Sequence, residues 1–301
     1  MDTHKSFAID AVVFSNEFRH SKFVAYKVKD AIVDYFRDKT GDRPSVRINN
    51  PDVLLNIHIA EDRCTLSLDS SGESLHRRGY RQEAVEAPLN EVLAAGMILM
   101  TGWKGECDLI DPMCGSGTIP IEAALIARNI APGVFRKEFA FEKWNDFDQE
   151  LFDSIYNDDS NERDFTHKIY GYDNNPKANE IATRNVKAAG LSKEIELKVQ
   201  AFQQFEQPKD KSIIITNPPY SPAMEFAEKS LSLLSDKGQV AMFLKLQFLE
   251  GIKRKKFFEK HPPKYIYVFR SRMPTWKNGD EVNPETGKKW AEVICFAWFV
   301  W

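Results

Sequence analysis

The first 70 residues alternate between strand-like and helix-like spacing of apolar positions. Residues 7–14 form an apolar run rich in residues that favour β-structure, whereas residues 20–39 carry apolar side chains three and four positions apart. Two more strand-like runs, 53–60 and 64–69, flank Glu61-Asp62-Arg63, which has the composition of a hairpin turn. The pattern predicts a small α+β unit.

From residue 88 onward, short apolar runs alternate with amphipathic segments. The predicted helices cover 89–103, 118–129, 177–189 and 224–234, and the predicted strands cover 107–111, 167–173, 195–199, 212–216 and 239–244. Strands separated by helices indicate βαβ units and an open parallel sheet, so the fold class is α/β. The last apolar stretch, 291–301, is predicted to add an edge strand.

Changes in composition predict the domain boundaries. Because residues 69–81 have loop composition, we expect three parts: an α+β domain over 1–70, a linker over 71–87 and an α/β domain over 88–301. An acidic, aromatic insertion at about 132–165 interrupts the last part, and a solvated helical segment is its simplest interpretation.

Residues 251–278 have the opposite charge, with nine basic side chains against one acid, Glu259. Aromatic residues between the cations suit phosphate contacts combined with base stacking, and the alternative is a solvated helix with core aromatics. The basic residues are Lys253, Arg254, Lys255, Lys256, Lys260, Lys264, Arg270, Arg272 and Lys277, and the aromatic residues are Phe257, Phe258, Tyr265, Tyr267, Phe269 and Trp276.

Composition excludes several classes of protein. The 301 residues suggest about two domains, and 41 Lys and Arg against 44 Asp and Glu give a net charge of −3, so any basic surface must be local. No apolar run reaches the roughly 18 residues of a membrane span, and the N-terminus lacks the apolar core of a signal peptide. The four cysteines and six histidines are scattered without ligand spacing. We therefore expect a cytoplasmic protein without a membrane partner or a metal.

A glycine-containing turn, DPMCGSGT over 111–118, follows a predicted strand and precedes a helix. In a parallel sheet, ligands bind outside the carboxyl ends of the strands, where Gly115 and Gly117 would let the backbone approach closely. Asp111 could hold the cationic amino-acid end of a cofactor. The sequence lacks the Gly-Lys-Ser/Thr ending of a phosphate-binding P-loop.

The next strand ends in GYDNNP over 171–176. An acidic residue at this point can accept hydrogen bonds from both hydroxyls of a ribose, and Asp173 is the candidate. A helix N-cap is the alternative role for Asp173. The order of the two turns favours a nucleoside-containing cofactor.

A third turn, Asn217-Pro218-Pro219-Tyr220, follows the predicted strand 212–216. Two prolines fix the backbone and leave carbonyl groups free to accept hydrogen bonds, and the Asn217 side chain adds another acceptor. Two acceptors aimed at one amino group would orient its lone pair at an electrophile and stabilise the positive charge that develops on nitrogen. Tyr220 offers a face on which an extruded base could stack.

The three turns resemble motifs I, II and IV of class I S-adenosylmethionine (SAM)-dependent methyltransferases that modify amino nitrogens. The wider segments LDSSGESLHRRGYR and APLNEVLAAGMILMTGW are similar to those of bacterial THUMP-domain methyltransferases, over about residues 1–220. The resemblance implies a Rossmann-like sheet preceded by a THUMP-like RNA-binding domain that lacks its usual first segment. It also implies SAM as cofactor and the 2-amino group of a guanine in large-subunit ribosomal RNA as target.

The resemblance assigns residues to roles. It implies that Asn217, Pro218, Pro219 and Tyr220 hold the target amine, and that the cofactor is bound by Asp111, Met113, Gly115, Gly117, Asp173 and Asn90. Ala201 departs from the family, which often has an acid contacting adenine there. We expect direct transfer of the methyl group, without a covalent intermediate on Cys114.

After Tyr220 the sequence departs from the ribosomal family and resembles phage-type DNA amino-methyltransferases. It therefore looks like two related catalytic families joined near that turn, whether by natural recombination, an engineered fusion or an assembly artefact. We therefore expect a nucleic acid as partner, with ribosomal RNA preferred and methylation of adenine or cytosine in DNA as the alternative. An inactive RNA-binding hybrid and a protein glutamine methyltransferase are further alternatives.

Overall fold

The computed structural model describes residues 3–85, 88–206, 211–234, 238–270 and 294–301. The chain divides into two compact units, each of which is discontinuous in sequence. The first unit comprises Met1–Arg77 and Arg136–Asp158, and the second comprises Arg78–Phe135 and Asp159–Trp301.

The first unit is a small α+β structure built on a three-stranded sheet in the order β1-β2-β3. Its elements are β1 (Phe7–Phe14), α1 (Ser21–Thr40), β2 (Val53–Ala60), β3 (Arg63–Leu68), a 3₁₀ turn (Ala140–Lys143) and α4 (Gln149–Tyr156). Strand β1 is parallel to β2, and β2 pairs with β3 in an antiparallel hairpin. The predicted hairpin turn is confirmed, although Arg63 already pairs with Ala60 as part of β3.

The segment Arg136–Asp158 belongs to the first unit, whereas we expected an insertion in the second. It is not simply a solvated excursion, because the rings of Phe139, Phe141 and Phe152 pack together with centroids 5.3 to 6.4 Å apart. Arg136 donates hydrogen bonds to four backbone carbonyls within residues 71–77. These contacts join parts of the chain about 60 residues apart, so local composition does not reveal them.

The second unit is an α/β structure with a seven-stranded sheet in the order β6-β5-β4-β7-β8-β10-β9. Its elements are α2 (Glu91–Thr101), β4 (Asp108–Asp111), α3 (Thr118–Arg128), β5 (Ile169–Asp173), α5 (Pro176–Ala188), β6 (Ile195–Val199), β7 (Ser212–Thr216), α6 (Ala223–Ser232), β8 (Gln239–Lys245), α7 (Ile252–Lys260), β9 (Tyr265–Val268) and β10 (Phe296–Val300), with 3₁₀ turns at Phe202–Gln204 and Leu246–Leu249. The predicted α/β class is confirmed.

The predicted position of the last strand is wrong. Strand β10 lies inside the sheet, antiparallel to both β8 and β9, and the edge strand is β9, which the sequence pattern did not predict. All five residues of β10 are buried, as expected for a continuous apolar run covered on both faces. Residues 291–293 of the predicted strand lie outside the described residues.

The strand order creates a switch point beside β4. The chain proceeds from β4 outward to β5 and β6, and then returns to place β7 on the other side of β4. Crevices at such switch points lie outside the carboxyl ends of the strands, where Asp111 and Asp173 are the last residues of β4 and β5 and Asn217 follows β7. Within the described residues, no helix is long and apolar enough to cross a membrane, and no three His, Cys, Asp or Glu side chains are grouped as metal ligands.

Candidate active site

Asp111 ends β4 and is 1% exposed. Its Oδ1 accepts hydrogen bonds from the Thr216 hydroxyl at 2.7 Å and from the Met113 amide at 3.2 Å. Burial raises the pKa of Asp111 to about 7, and the nearby Asp173 carboxylate acts in the same direction, although the two hydrogen bonds oppose the shift. A buried carboxylate with so few donors is suited to a cationic ligand.

The turn after Asp111 depends on three glycines. Gly115 and Gly117 have φ angles of +54° and +84°, which other residues rarely adopt. Gly171, on β5, allows the turn to lie against that strand, because a Cβ there would stand 2.6 Å from Leu197 Cδ2 and 3.1 Å from Cys114 Sγ. The first two glycines are recognisable in the sequence, whereas the role of Gly171 is visible only in the structure.

Asp173 connects the second turn to the first. Its Oδ2 accepts a hydrogen bond from the Gly115 amide at 3.1 Å, and its Oδ1 accepts one from the Asn175 amide at 2.9 Å. The N-cap of α5 is Asn175, whose side chain accepts from the Lys177 amide. Asp173 is therefore not the cap of this helix, and its remaining lone pairs are available to a ligand.

The Asn217 side chain carries the least expected feature of the site. Its Oδ1 is buried and has no hydrogen-bond partner among the described residues. Buried polar oxygens are rarely left unpaired, and the exceptions often mark a place for a ligand. Pro218, next in the turn, is buried, whereas Pro219 is exposed.

Tyr220 is half-buried between two side chains from neighbouring strands. Its ring centroid lies 5.6 Å from that of Phe296 on β10, and the Lys245 ammonium lies 4.8 Å from the Tyr220 ring centroid. Burial raises the pKa of the Tyr220 hydroxyl to about 12, so this group is protonated at neutral pH. The Tyr220 ring was predicted to stack on a base, and the Lys245 ammonium lies over one of its faces in this structure.

The three turns line one cavity of about 420 Å³. Its described lining residues are Val85, Pro88, Leu89, Asp111, Pro112, Met113, Cys114, Gly115, Ser116, Thr118, Ile119, Asp173, Asn174, Phe202, Gln203, Asn217, Pro218, Pro219, Tyr220 and Phe226. Two residues assigned to the cofactor by the sequence lie outside the lining. Asn90 caps α2 by accepting from the Leu93 amide, and Gly117 is the N-cap residue of α3.

The cavity fits a sulfonium-bearing nucleoside. Its charged groups are the two carboxylates of Asp111 and Asp173, which complement a positive ligand. Phe202, beside the Ala201 position, forms an aromatic wall with Phe226, the ring centroids being 4.4 Å apart. Phe202 and Gln203, which directly follow Ala201, line the cavity. Their proximity to Ala201 is the only signal in the sequence that could have indicated them, and Phe226, on α6, has no such signal.

Cys114 is buried in the first turn and takes no part in this chemistry. Burial, with the negative charges of Asp111 and Asp173, raises the pKa of its thiol well above the ordinary value. A neutral thiol is a poor nucleophile, which agrees with the expectation of direct transfer.

Comparison with protein families gives two matches. The family described as "RMKL-like, methyltransferase domain" matches residues 78–244, which is more than half of the chain. The THUMP domain family matches residues 1–69. The first match continues past the join that the sequence suggested near Tyr220.

Curated relatives carry the name ribosomal RNA large subunit methyltransferase K/L. The protein of Psychromonas ingrahamii is 41% identical over 245 residues, covering 79% of this chain and 32% of the relative. That of Syntrophotalea carbinolica is 39% identical over 245 residues, covering 77% and 34%. The chain therefore spans about a third of the length of these relatives.

Two solved structures extend the comparison. SMU.472, a candidate methyltransferase complexed with S-adenosylhomocysteine (SAH), has a TM-score of 0.78 and 25% identity and covers all of this chain and 76% of that chain. A predicted N6-adenine-specific DNA methylase from Listeria monocytogenes has a TM-score of 0.70 and 28% identity and covers 82% and 67%.

Proposed function

Because this chain belongs to the RMKL-like family of SAM-dependent methyltransferases and carries a THUMP domain, we propose that it methylates an exocyclic amino group of a nucleic-acid base, specifically the 2-amino group of a guanine in large-subunit ribosomal RNA. The observation that carries the proposal is the buried Oδ1 of Asn217 at the wall of the cavity, for which the described part of the chain offers no hydrogen-bond partner.

Asn217 supplies what an attacking amine requires. An oxygen acceptor fixed on one N–H holds the amino group so that the nitrogen lone pair faces the methyl donor. The same oxygen stabilises the positive charge that forms on nitrogen during attack. The backbone carbonyls of the adjacent Pro-Pro turn provide the second acceptor, and Tyr220 and Phe296 provide apolar support beside the base.

The cofactor would be held by the two carboxylates that follow β4 and β5. Asp111 would face its cationic groups, and Asp173, already fixed by the Gly115 amide, would accept from the ribose hydroxyls. Phe202 and Phe226 would contact the adenine ring. When bound, SAM supplies an electrophilic methyl group on sulfur. The chain would position the acceptor nitrogen. The Tyr220 hydroxyl beside it would stay protonated at neutral pH, because burial raises its pKa.

Ribosomal RNA is the preferred substrate class because of the relatives' names and the THUMP match. The exposed side chains of Lys253, Lys256 and Lys260 on α7 support phosphate contacts. The aromatic part of the basic-segment prediction changes, because Phe257 is buried in the core and cannot stack on a base. Arg272, Trp276 and Lys277 lie outside the described residues.

DNA is the second candidate substrate. The similarity to the Listeria protein, which is described as a DNA methylase, and the sequence after Tyr220 both favour it. The third alternative, an inactive hybrid, is less well supported, because residues before and after the suggested join line the same cavity.

The test is transfer of a tritiated methyl group from SAM to ribosomal RNA, to duplex DNA and to buffer alone, followed by digestion and mass spectrometry of the nucleosides. We expect label in RNA and N2-methylguanosine among the products. Label only in DNA, as N6-methyladenine, would replace our proposal by the second candidate. An absence of label from both substrates, with SAH bound normally, would leave the inactive hybrid.

A further inference from the structure

Two side chains outside the three motif turns hold the first turn in place. Asn185, on α5, is 1% exposed. Its amide nitrogen donates to the Ser116 carbonyl at 2.9 Å and to the Glu83 carbonyl at 3.0 Å, and its Oδ1 accepts from the Gln82 amide at 2.8 Å. One buried side chain thus bridges the glycine-containing turn and the segment that precedes α2.

Arg81 makes a second bridge between the same two segments. Its guanidinium forms an ion pair with the buried Glu91 at 2.9 Å. It also donates to the hydroxyls of Ser116 at 3.1 Å and Thr118 at 3.0 Å, and to the Leu89 carbonyl at 3.0 Å. A forked, planar donor is required to reach these acceptors together.

Ser116 is the point at which both bridges meet, because Asn185 binds its carbonyl and Arg81 binds its hydroxyl. It stands between Gly115 and Gly117, which both have positive φ angles. Glycines restrict the backbone least, so a turn with this composition needs contacts from outside to hold one conformation.

The segment tied to Ser116 also forms part of the cavity wall. Val85 and Leu89 line the cavity, and Val85 Cγ2 lies 3.5 Å from the position that a Cβ on Gly115 would occupy. Arg81 and Asn185 are absent from the described lining. They fix the relative positions of the two parts of the wall between which the cofactor would bind.

We propose that Arg81 and Asn185 are positioning residues that set the affinity for the adenosyl-sulfonium cofactor, acting through Ser116 and through their contacts with Gln82, Glu83 and Leu89. This inference rests on the proposed methyltransferase function. The bridges hold the cofactor side of the cavity in its binding conformation before the ligand arrives, so that binding does not have to order the turn.

The experiment measures SAH affinity by titration calorimetry for the full chain and for the variants Arg81→Lys and Asn185→Leu. We expect each to bind SAH about tenfold more weakly, a loss comparable to one charge-assisted or buried hydrogen bond. The KM for SAM should rise in parallel, whereas kcat at saturating SAM and the KM for RNA should stay within about twofold, because the amine-holding turn is untouched.

Arg128→Lys is the matched control. Arg128 is a partly buried arginine of the same unit that bridges Glu162 at 2.8 Å and Glu194 at 3.2 Å, and it is not among the cavity lining. This variant should lose thermal stability without a change in SAH affinity, which separates a positioning role from a general structural one.

Folded Arg81→Lys and Asn185→Leu variants that bind SAH like the wild type would overturn the inference while leaving the proposed function intact. A wild-type chain that binds no SAH would instead overturn both. If the two variants do not fold, Ser116→Ala removes only the hydroxyl acceptor of Arg81, and we expect about threefold weaker binding of SAH. Unchanged affinity in folded Ser116→Ala would then overturn the inference.

Discussion

Thr216 donates its hydroxyl hydrogen to the carboxylate of Asp111 over 2.7 Å, and both side chains are buried. The bond links the ends of β7 and β4, immediately before the turn that begins at Asn217. It therefore connects the side of the cavity that we assign to the cofactor to the side that we propose for the target amine. It also opposes the effect of burial on the pKa of Asp111.

We predict that SAH affinity depends on pH through Asp111. Its pKa of about 7 means that the carboxylate is protonated below this pH and negative above it. Since the amino group of the ligand is cationic, affinity should rise as the pH increases from about 6 to about 8 and then level off. Calorimetry across this range is the measurement.

Two variants test the origin of this pH dependence. Asp111→Asn should bind SAH weakly at every pH, with no step near pH 7. Thr216→Val removes the hydroxyl donor that lowers the pKa, so its step should move to higher pH. A wild-type affinity that is flat between pH 6 and 8 would contradict the assignment.

We predict that Asn217→Ala lowers kcat by about 10²–10³-fold, as for removal of one preorganised hydrogen-bonding group in an active site. SAH affinity should change little, because in our proposal the lost acceptor binds the target amine and not the cofactor. Single-turnover transfer of tritiated methyl groups to RNA measures the rate, and calorimetry provides the control. Turnover like that of the wild type would remove Asn217 from the mechanism.

We predict that Gly171→Ala destabilises the chain and weakens cofactor binding. The added methyl group would meet Leu197 Cδ2 at 2.6 Å and Cys114 Sγ at 3.1 Å, so the first turn must shift away from β5. Overpacking of this kind costs roughly 1–3 kcal/mol of unfolding free energy. Denaturant unfolding and SAH titration are the measurements.

Gly96→Ala is the matched control for this substitution. Gly96 lies within α2 and has no positive φ angle, and apart from its neighbours in that helix no atom of the described residues lies within 4 Å of the position of a Cβ. Alanine there should leave cofactor binding unchanged and stabilise the helix by up to about 1 kcal/mol. If both variants had the same effect, close packing at Gly171 would not explain the loss.

We predict that α7 contributes to the salt dependence of RNA binding. Replacing Lys253, Lys256 and Lys260 together by Gln should reduce the slope of log K against log salt by about 2 to 3, at ~0.7–0.9 per phosphate contact. Fluorescence anisotropy with a ribosomal RNA fragment at several salt concentrations measures the slope.

The control triple variant replaces Lys187, Lys193 and Lys211 by Gln. These side chains are exposed and lie near the amino ends of β6 and β7. The cavity lies at the carboxyl ends of the strands, on the opposite side of the sheet. Their loss should leave the slope nearly unchanged. Equal slopes for the α7 variant and the wild type would remove α7 from the RNA-binding surface.

Local sequence patterns predicted most of the sheet because strand and helix periodicity extends over only a few residues. Strands Phe7–Phe14, Val53–Ala60, Ile195–Val199 and Ser212–Thr216 have the predicted bounds. The pairing of β10 between β8 and β9 could not be predicted in this way, because it depends on which strands meet after a long connection.

The residues of the candidate site also divide into those that a local pattern reveals and those that depend on distant contacts. Asp111, Asp173 and Asn217 could be predicted because each lies where a strand passes into a recognisable turn. Gly171 and Asn185 could not, because their importance arises from contacts with residues distant in sequence, such as the 69-residue separation of Asn185 and Ser116. Asn90 was assigned to the cofactor through the family resemblance, and its side chain caps a helix.

The discontinuity of the first unit affects when this unit can complete its folding during synthesis. Its final segment ends at Asp158, so the ribosome must synthesise β4 and α3 of the second unit before the first has all of its residues. A nascent chain released at residue 77 would lack the Arg136 side chain that binds the carbonyls of Ser71 and Ser74. During translation, the first unit should therefore complete its folding only after β4, the strand that carries Asp111, has been synthesised.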